Sequence, residues 1–382
     1  MEKKAMFDET MDRRKFLRLG VATGAVIVAD SALPRLSFAE VRSVTLTECM
    51  AMTPEQMARS SKLVTDSWDY LQKTVATIHN PQVRKTVFEI LANPAPTFIE
   101  PLASGNKRAV YDELTTKGLL EKVAAEDFLP PVQSCKQSPQ LFLSAPGSGY
   151  QSHHAYPGGV VTHTTLNLKI SLAIHDNYRE IYGYELDRDV VIASQVLHDL
   201  HKPWVFQWGA NGASRTELPL AGTGEHHPYS IAESIHRGLP AEVCVAQACA
   251  HNHPGSAKDE VDPVKWIKAA AIMAGVNPIA KRLLDKGGET LPLPRRMENF
   301  VCHLGDHDWV LTVPAVKWLL PEMQDIAVKK YGMSQKDLQG KKFNAFRNYV
   351  FSQSTAMALY HVYSTKGKAG LTQALTTIVT PA

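Results

Sequence analysis

An all-α fold follows from three features of the sequence. Apolar residues recur at helical spacing in many stretches, among them Val83 to Leu91 and Tyr111 to Val123. Strand-like alternation is scarce. Helix punctuation also brackets several periodic stretches: Thr53 precedes Pro54, and Gly238 follows the run through Ile231 and Ile235. The 382 residues are 44% hydrophobic and 21% charged, an ordinary balance for a globular chain.

The first 39 residues read as a targeting segment. Asp12-Arg13-Arg14-Lys15-Phe16-Leu17-Arg18 leads into a modest apolar run, and Ser37-Phe38-Ala39 supplies small residues of the kind found at cleavage sites. The pattern resembles a twin-arginine export signal, with Asp12 where such signals more often carry Ser or Thr. It implies the export machinery as a partner and a periplasmic or otherwise exported protein. The apolar run is interrupted by Asp30, Pro34 and Arg35, too short for a stable membrane span.

Four regions are expected: the signal 1–39, an accessory helical region 40–145, a metal-binding region 146–325, and a helical extension 326–382. The last should be helical from Gln335 to about Tyr363 and end in a small-residue tail. Residues 93–96 and 128–146 read as loops. Beyond the signal, 34 basic residues face 33 acidic ones, so nothing in the charge points to nucleic acid. Five cysteines, none in a C-x-x-C pair, argue against a disulfide framework.

Chemistry concentrates in the 15 histidines, which bunch between His153 and His307. His163 opens a helix after Gly158-Gly159 and shares a face with Leu166, Ile170 and Ile174. His198-Asp199 ends a helix that Asp189 is placed to cap and Pro203 must stop. His226-His227-Pro228 starts another helix. His251 closes a helix whose inner face carries Cys244 and Ala248. Asp306 and Asp308 lie in a segment expected to run as one apolar helix from Cys302 into Val310 and Leu311. Imidazoles and carboxylates gathered on inward faces are costly unless something binds them. One or two divalent ions among Fe, Mn, Zn, Co and Ni suit such a mixed set.

The ordered set His163, His198-Asp199, His227, His251, Asp306 resembles the HD superfamily of metal-dependent phosphohydrolases. That family carries His, His-Asp and Asp on the helices of one bundle, and its binuclear members add two histidines before the last Asp. "VLHDLHKP" looks like the family's "HDxGK", with His201 in place of the usual Gly. "HHAYPGGVVTHT" looks like the start of a family subset, and His227-Pro228 like the "HP" of binuclear members. The resemblance covers roughly residues 146–325. It departs from the pattern at "WIKAAAIMAG", which can be read as the helix that normally supplies the last Asp, with Ala271 in its place.

The resemblance implies an HD-like helical bundle with accessory helices at both ends. It implies metal ligation by His163, His198, Asp199, His227, His251 and Asp306, with Asp308 the alternative to Asp306. Hydrolysis of a phosphate ester on a small molecule would use metal-activated water, Asp199 binding or bridging the ions and Lys202 stabilising charge. His226, His253 and His154 are candidates for substrate contact. Two other readings use the same residues: a di-iron oxygenase of HD type, and a non-catalytic binding protein with a degenerate site, which Ala271 favours.

Overall fold

Side-chain caps set the helix starts at the front of the chain. The computed structural model describes residues 41–381, so the export segment expected over 1–39 lies outside the described residues. β1 (Val44–Thr45) leads into α1 (Leu46–Ala51) and then α2 (Pro54–Ser60). Thr45 and Thr53 each close a capping box, with Glu48 and Gln56. Ser61 caps α3 (Lys62–Val75) and Asn80 caps α4 (Pro81–Ala92). α5 (Lys107–Thr116) begins and ends earlier than Tyr111–Val123, and it stops where the chain turns at Gly118 with φ +65°.

The middle of the chain forms α6 (Gly159–Tyr182), α7 (Arg188–Leu197), the single turn α8 (Lys202–Val205), α9 (His226–His236), α10 (Ala241–Ala248), α11 (Val261–Met273) and α12 (Met297–Gly305). α6 packs on α3, α7 and α12, α7 also on α10, and α9 on α11. α13 (Trp309–Tyr331) then packs along α14 (Lys341–Ile378). Two minimal ribbons complete an all-α architecture. β1 pairs in parallel with β4 (Val379–Thr380), joining Val44 to Val379. β2 (Pro219–Leu220) and β3 (Thr223–Gly224) form a hairpin whose turn residues, Ala221 and Gly222, both have positive φ. One hydrophobic cluster runs from Ala58 to Leu291, so packing continues across residue 145. Among the described residues, no helix is long and apolar enough to cross a membrane.

Several expectations need correction. Asp187, not Asp189, caps α7, accepting from the amides of Asp189 and Val190. Asp189 instead reaches the amides of His79 and Asn80 at 2.9 and 2.8 Å, tying α7 to the start of α4. The C-terminal tail stays helical to Ile378, since only Thr355 and Gly367 leave helical dihedrals and the helix resumes after each. Cys49, Cys244, Cys249 and Cys302 are buried, Cys135 is half-buried, and all five are free.

A buried ion cluster braces α9. Glu233 accepts from Thr97 Oγ1 at 2.6 Å, the Phe98 amide at 2.9 Å and Arg237 Nε at 2.7 Å. Burial opposes its charge, but His201, Thr97 and Arg237 prevail and hold its pKa at about 2. A depressed carboxylate pKa stabilises the fold above the unfolded value, and that contribution fades as pH falls toward 2. Glu233→Gln is expected to cost about 2–3 kcal/mol at pH 7. In urea denaturation, the gap between wild type and variant should shrink as pH drops below about 4.5; a gap independent of pH would contradict this role.

Candidate metal centre

Glycine makes the first approach possible. Gly158 starts α6 with φ +84°, and a Cβ on Gly159 would lie 1.8 Å from the carbonyl oxygen of His154. His163 follows one turn later and is buried. Its fully buried companions are Asn167 and Ser171; of the expected row, Leu166 is 38% exposed, while Ile170 and Ile174 are half-buried, Ile174 against Leu186, Val191 and Val301. The polar residues face inward because they have partners there. Asn167 Nδ2 donates to Asp306 Oδ1 at 2.6 Å, and Ser171 Oγ to Gln195 Oε1 at 2.8 Å.

Two helix ends bring in the carboxylates. α7 stops at Leu197, His198 is its C-cap, and Asp199 sits in the turn before Lys202. The segment around Asp306 is not one helix. α12 ends at Gly305, Asp306 caps it with non-helical dihedrals, and α13 begins at Trp309. Gly305 lies so close to α6 and α7 that a Cβ would stand 2.0 Å from Ser171 Oγ and 2.8 Å from Gln195 Oε1. That close approach lets Asp306 sink fully into the bundle.

The first half of the site is His163, His198, Asp199 and Asp306. His163 Nε2 lies 3.2 Å from Asp199 Oδ2 and 3.1 Å from Asp306 Oδ1. His198 Nε2 lies 3.1 and 3.4 Å from the same two oxygens. The other oxygen of Asp199, Oδ1, faces the second half, with His226 Nε2 at 3.5 Å and His251 Nε2 at 3.6 Å. His227 stacks on His251 with ring centroids 3.8 Å apart, and its Nδ1 pairs with Thr223 Oγ1 at 2.9 Å. Two of the resulting trios can each hold an ion: His163 with His198 and Asp306, and His226 with His227 and His251.

The donor chemistry fits cations. The Nδ1 of His198 meets the Gln195 carbonyl at 2.7 Å, and a carbonyl only accepts, so Nδ1 carries the proton. In the neutral ring Nε2 then presents a lone pair to two carboxylates. His226 repeats the arrangement, its Nδ1 on Glu217 Oε2 at 2.5 Å and its Nε2 toward Asp199. His198 Nε2, His226 Nε2 and Asp199 Oδ1 are buried without hydrogen-bond partners, while Asp199 Oδ2 pairs with Lys202 Nζ. Lone pairs so opposed require a positive charge between them. The separations also match ligand edges, because donors about 2.0–2.2 Å from one tetrahedral or octahedral ion lie about 3.0–3.5 Å apart.

Electrostatics without an ion reflect the same demand. Burial disfavours charge on Asp199, yet His198 and Lys202 hold its carboxyl well below the usual range. Asp306 is depressed likewise, against burial, by His198 and His251. Burial also works against a charged His198, but the two aspartates outweigh it and raise the ring to about 10. His251 is driven down to about 3 by burial, which Asp306 and Asp199 only partly offset. A proton on His198 thus occupies the place a metal ion would take.

The site opens into a cavity of about 350 Å³ whose lining includes His163, Lys202, Glu217, His226, His251 and Asp306. Lys202 is buried with Nζ 2.5 Å from Asp199 Oδ2. Of the residues expected to touch substrate, His226 lies against Asp199 and belongs to the centre itself. His154 is buried behind His153, which does line the cavity. His253 is elsewhere: its Nδ1 is on the Pro254 carbonyl and its ring is beside His303. Asp308 pairs with Thr312 and His154. Ala271 lines a different cavity, and His201 packs on Phe98 and Trp204 against Glu233.

Sequence reasoning missed Glu217. The β2–β3 hairpin folds it over Gly224, where a Cβ would come within 2.1 Å of Glu217 Oε2, and so aims it at His226. The Ala221-Gly222 pair between Leu220 and Thr223 was the available signal. Glu217→Gln is expected to weaken divalent-ion binding about 10- to 100-fold, the usual effect of losing a carboxylate behind a ligating histidine. Equilibrium dialysis measures it; unchanged affinity would remove Glu217 from the centre.

Comparison with known proteins adds one observation. Over 132 residues, 34% of this chain, the sequence is 30% identical to the dihydroneopterin 2′,3′-cyclic phosphate phosphodiesterase of Methanocaldococcus jannaschii. The matched stretch spans about half, 52%, of that relative. No family model matches the chain, and no solved structure matches it. The chain is therefore similar in part to a phosphodiesterase.

Proposed function

We propose that the protein is a metal-dependent phosphohydrolase that cleaves a phosphate ester of a small molecule. The observation that carries this reading is the two-sided placement of Asp199, one oxygen toward His163 and His198 and the other toward His226 and His251. The partial similarity to a phosphodiesterase supports the same reaction class. His163, His198 and Asp306 would hold one ion, His226, His227 and His251 a second, with Asp199 between them. Divalent ions there supply a water of lowered pKa and positive charge for phosphoryl oxygens.

The chain's own residues supply the rest. Lys202 projects its ammonium beside Asp199 at the cavity wall and offers charge to a phosphoryl oxygen or to the departing alkoxide. Glu217 fixes the tautomer of His226, and the Gln195 carbonyl that of His198. The cavity volume suits a small ligand.

Phosphate-ester cleavage by the chain loaded with Mn(II) or Fe(II) tests this reading, using bis(p-nitrophenyl) phosphate and a nucleoside 2′,3′-cyclic phosphate. Wild type should turn over, His198→Ala should fall to background, and Lys202→Ala should lose about a hundredfold or more in kcat. Equal rates in wild type and His198→Ala would refute the proposal. We also propose that residues 1–39 direct export, on the strength of Arg13-Arg14 ahead of Phe16-Leu17. Arg13→Lys combined with Arg14→Lys should then trap the protein inside a bacterial host; undiminished export of that variant would contradict it.

A further inference from the structure

We infer that His153, His154 and His163 form a third cation subsite, suited to a borderline transition ion such as Zn, Co or Ni, beside the centre described above. The subsite rests on that metal reading, because it shares His163 with it.

The three rings offer nitrogens within 4.8 Å of one another. Their centroids are 5.4 Å apart for His153 and His163, 5.0 Å for His154 and His163, and 5.3 Å for His153 and His154. His153 Nδ1 and His154 Nδ1 face each other at 3.1 Å, a hydrogen-bonding separation that is also a ligand-edge distance. His163 contributes an independent observation. Its Nε2 is committed to Asp199 and Asp306, while its Nδ1 is buried and has no hydrogen-bond partner. An orphaned ring nitrogen in a side chain 1% exposed calls for a partner.

The surroundings match those of a ligating imidazole. Where the Nδ1 of His154 binds a cation, its Nε2 carries the proton and faces Asp308 Oδ2, 3.7 Å away. Asp308 is held in turn by Thr312 Oγ1 at 2.5 Å. A carboxylate behind the second nitrogen orients a ligating histidine and makes it more basic. The loop is fixed over His163 by the Gly147 amide, which donates to the His154 carbonyl at 2.8 Å. Three imidazoles with no carboxylate among them select borderline ions over Mg or Ca. With both neighbouring positions filled, His163 binds through both nitrogens as an imidazolate. Its N–H proton passes to solvent, so filling the subsite releases one proton.

Equilibrium dialysis of the metal-stripped full chain against Co(II) tests the assignment. His154→Ala should bind one equivalent fewer than wild type while keeping the wild-type far-ultraviolet circular dichroism, and Asp308→Asn should hold its last equivalent about tenfold more weakly. Should His154→Ala fail to fold, His154→Gln, which preserves volume and polarity, carries the same expectation. Co(II) uptake by the folded His154 variant equal to wild type overturns the third subsite. His198→Ala separates the two ideas: a loss there with none at His154 leaves the main centre standing without the third ion. A loss at His154 with none at His198 removes the main centre as described.

Discussion

A buried carboxylate with lone pairs opposed on both sides is the constraint around which this protein is arranged. Asp199 is wholly inaccessible, and four imidazoles on separate segments direct nitrogens at its two oxygens. Leaving such groups uncompensated costs several kcal/mol per charge. Lys202 supplies part of the compensation and a proton on His198 another part. Divalent ions would supply the rest, and they would turn an electrostatic liability into a reactive site.

The scaffold is shaped by close approaches that only glycine allows at the points of contact. Gly159 lets the loop carrying His153 and His154 lie on α6, Gly305 lets α12 touch α6 and α7, and Gly224 lets Glu217 pass over the hairpin. Each lies within nine residues of a group in the site. The ligands themselves come from helix ends and turns, where the backbone bends and neighbouring side chains can converge. Leu197 is the last residue of α7, Gly305 of α12 and Ala248 of α10, and His198-Asp199, Asp306 and His251 follow those stops.

Much of this was legible from residue order. The all-α class, the start at Thr53, the turn at Gly158-Gly159 and the stop after Ile235 follow from local rules, and the structure keeps them. The gathering of His163, His198, Asp199, His227, His251 and Asp306 was legible because imidazoles and aspartates at helix ends and inward positions are costly enough to mark themselves. What could not be read depended on long-range packing. Leu166 was assigned inward by periodicity, yet Asn167 and Ser171 take that face because Asp306 and Gln195, over twenty residues away in sequence, give them partners. Asp189 was assigned a capping role that Asp187 performs, since the amides it serves belong to His79 and Asn80. His226 and His227 are adjacent in sequence, and only the hairpin bearing Glu217 and Thr223 determines how each ring turns.

Anomalous diffraction from crystals grown with Mn(II) would locate ions beside Asp199. Two peaks flanking Asp199 are expected, one within bonding distance of His163, His198 and Asp306, the other near His226, His227 and His251. Ordered water between Asp199 and these rings, with no anomalous signal on either side, would contradict the account.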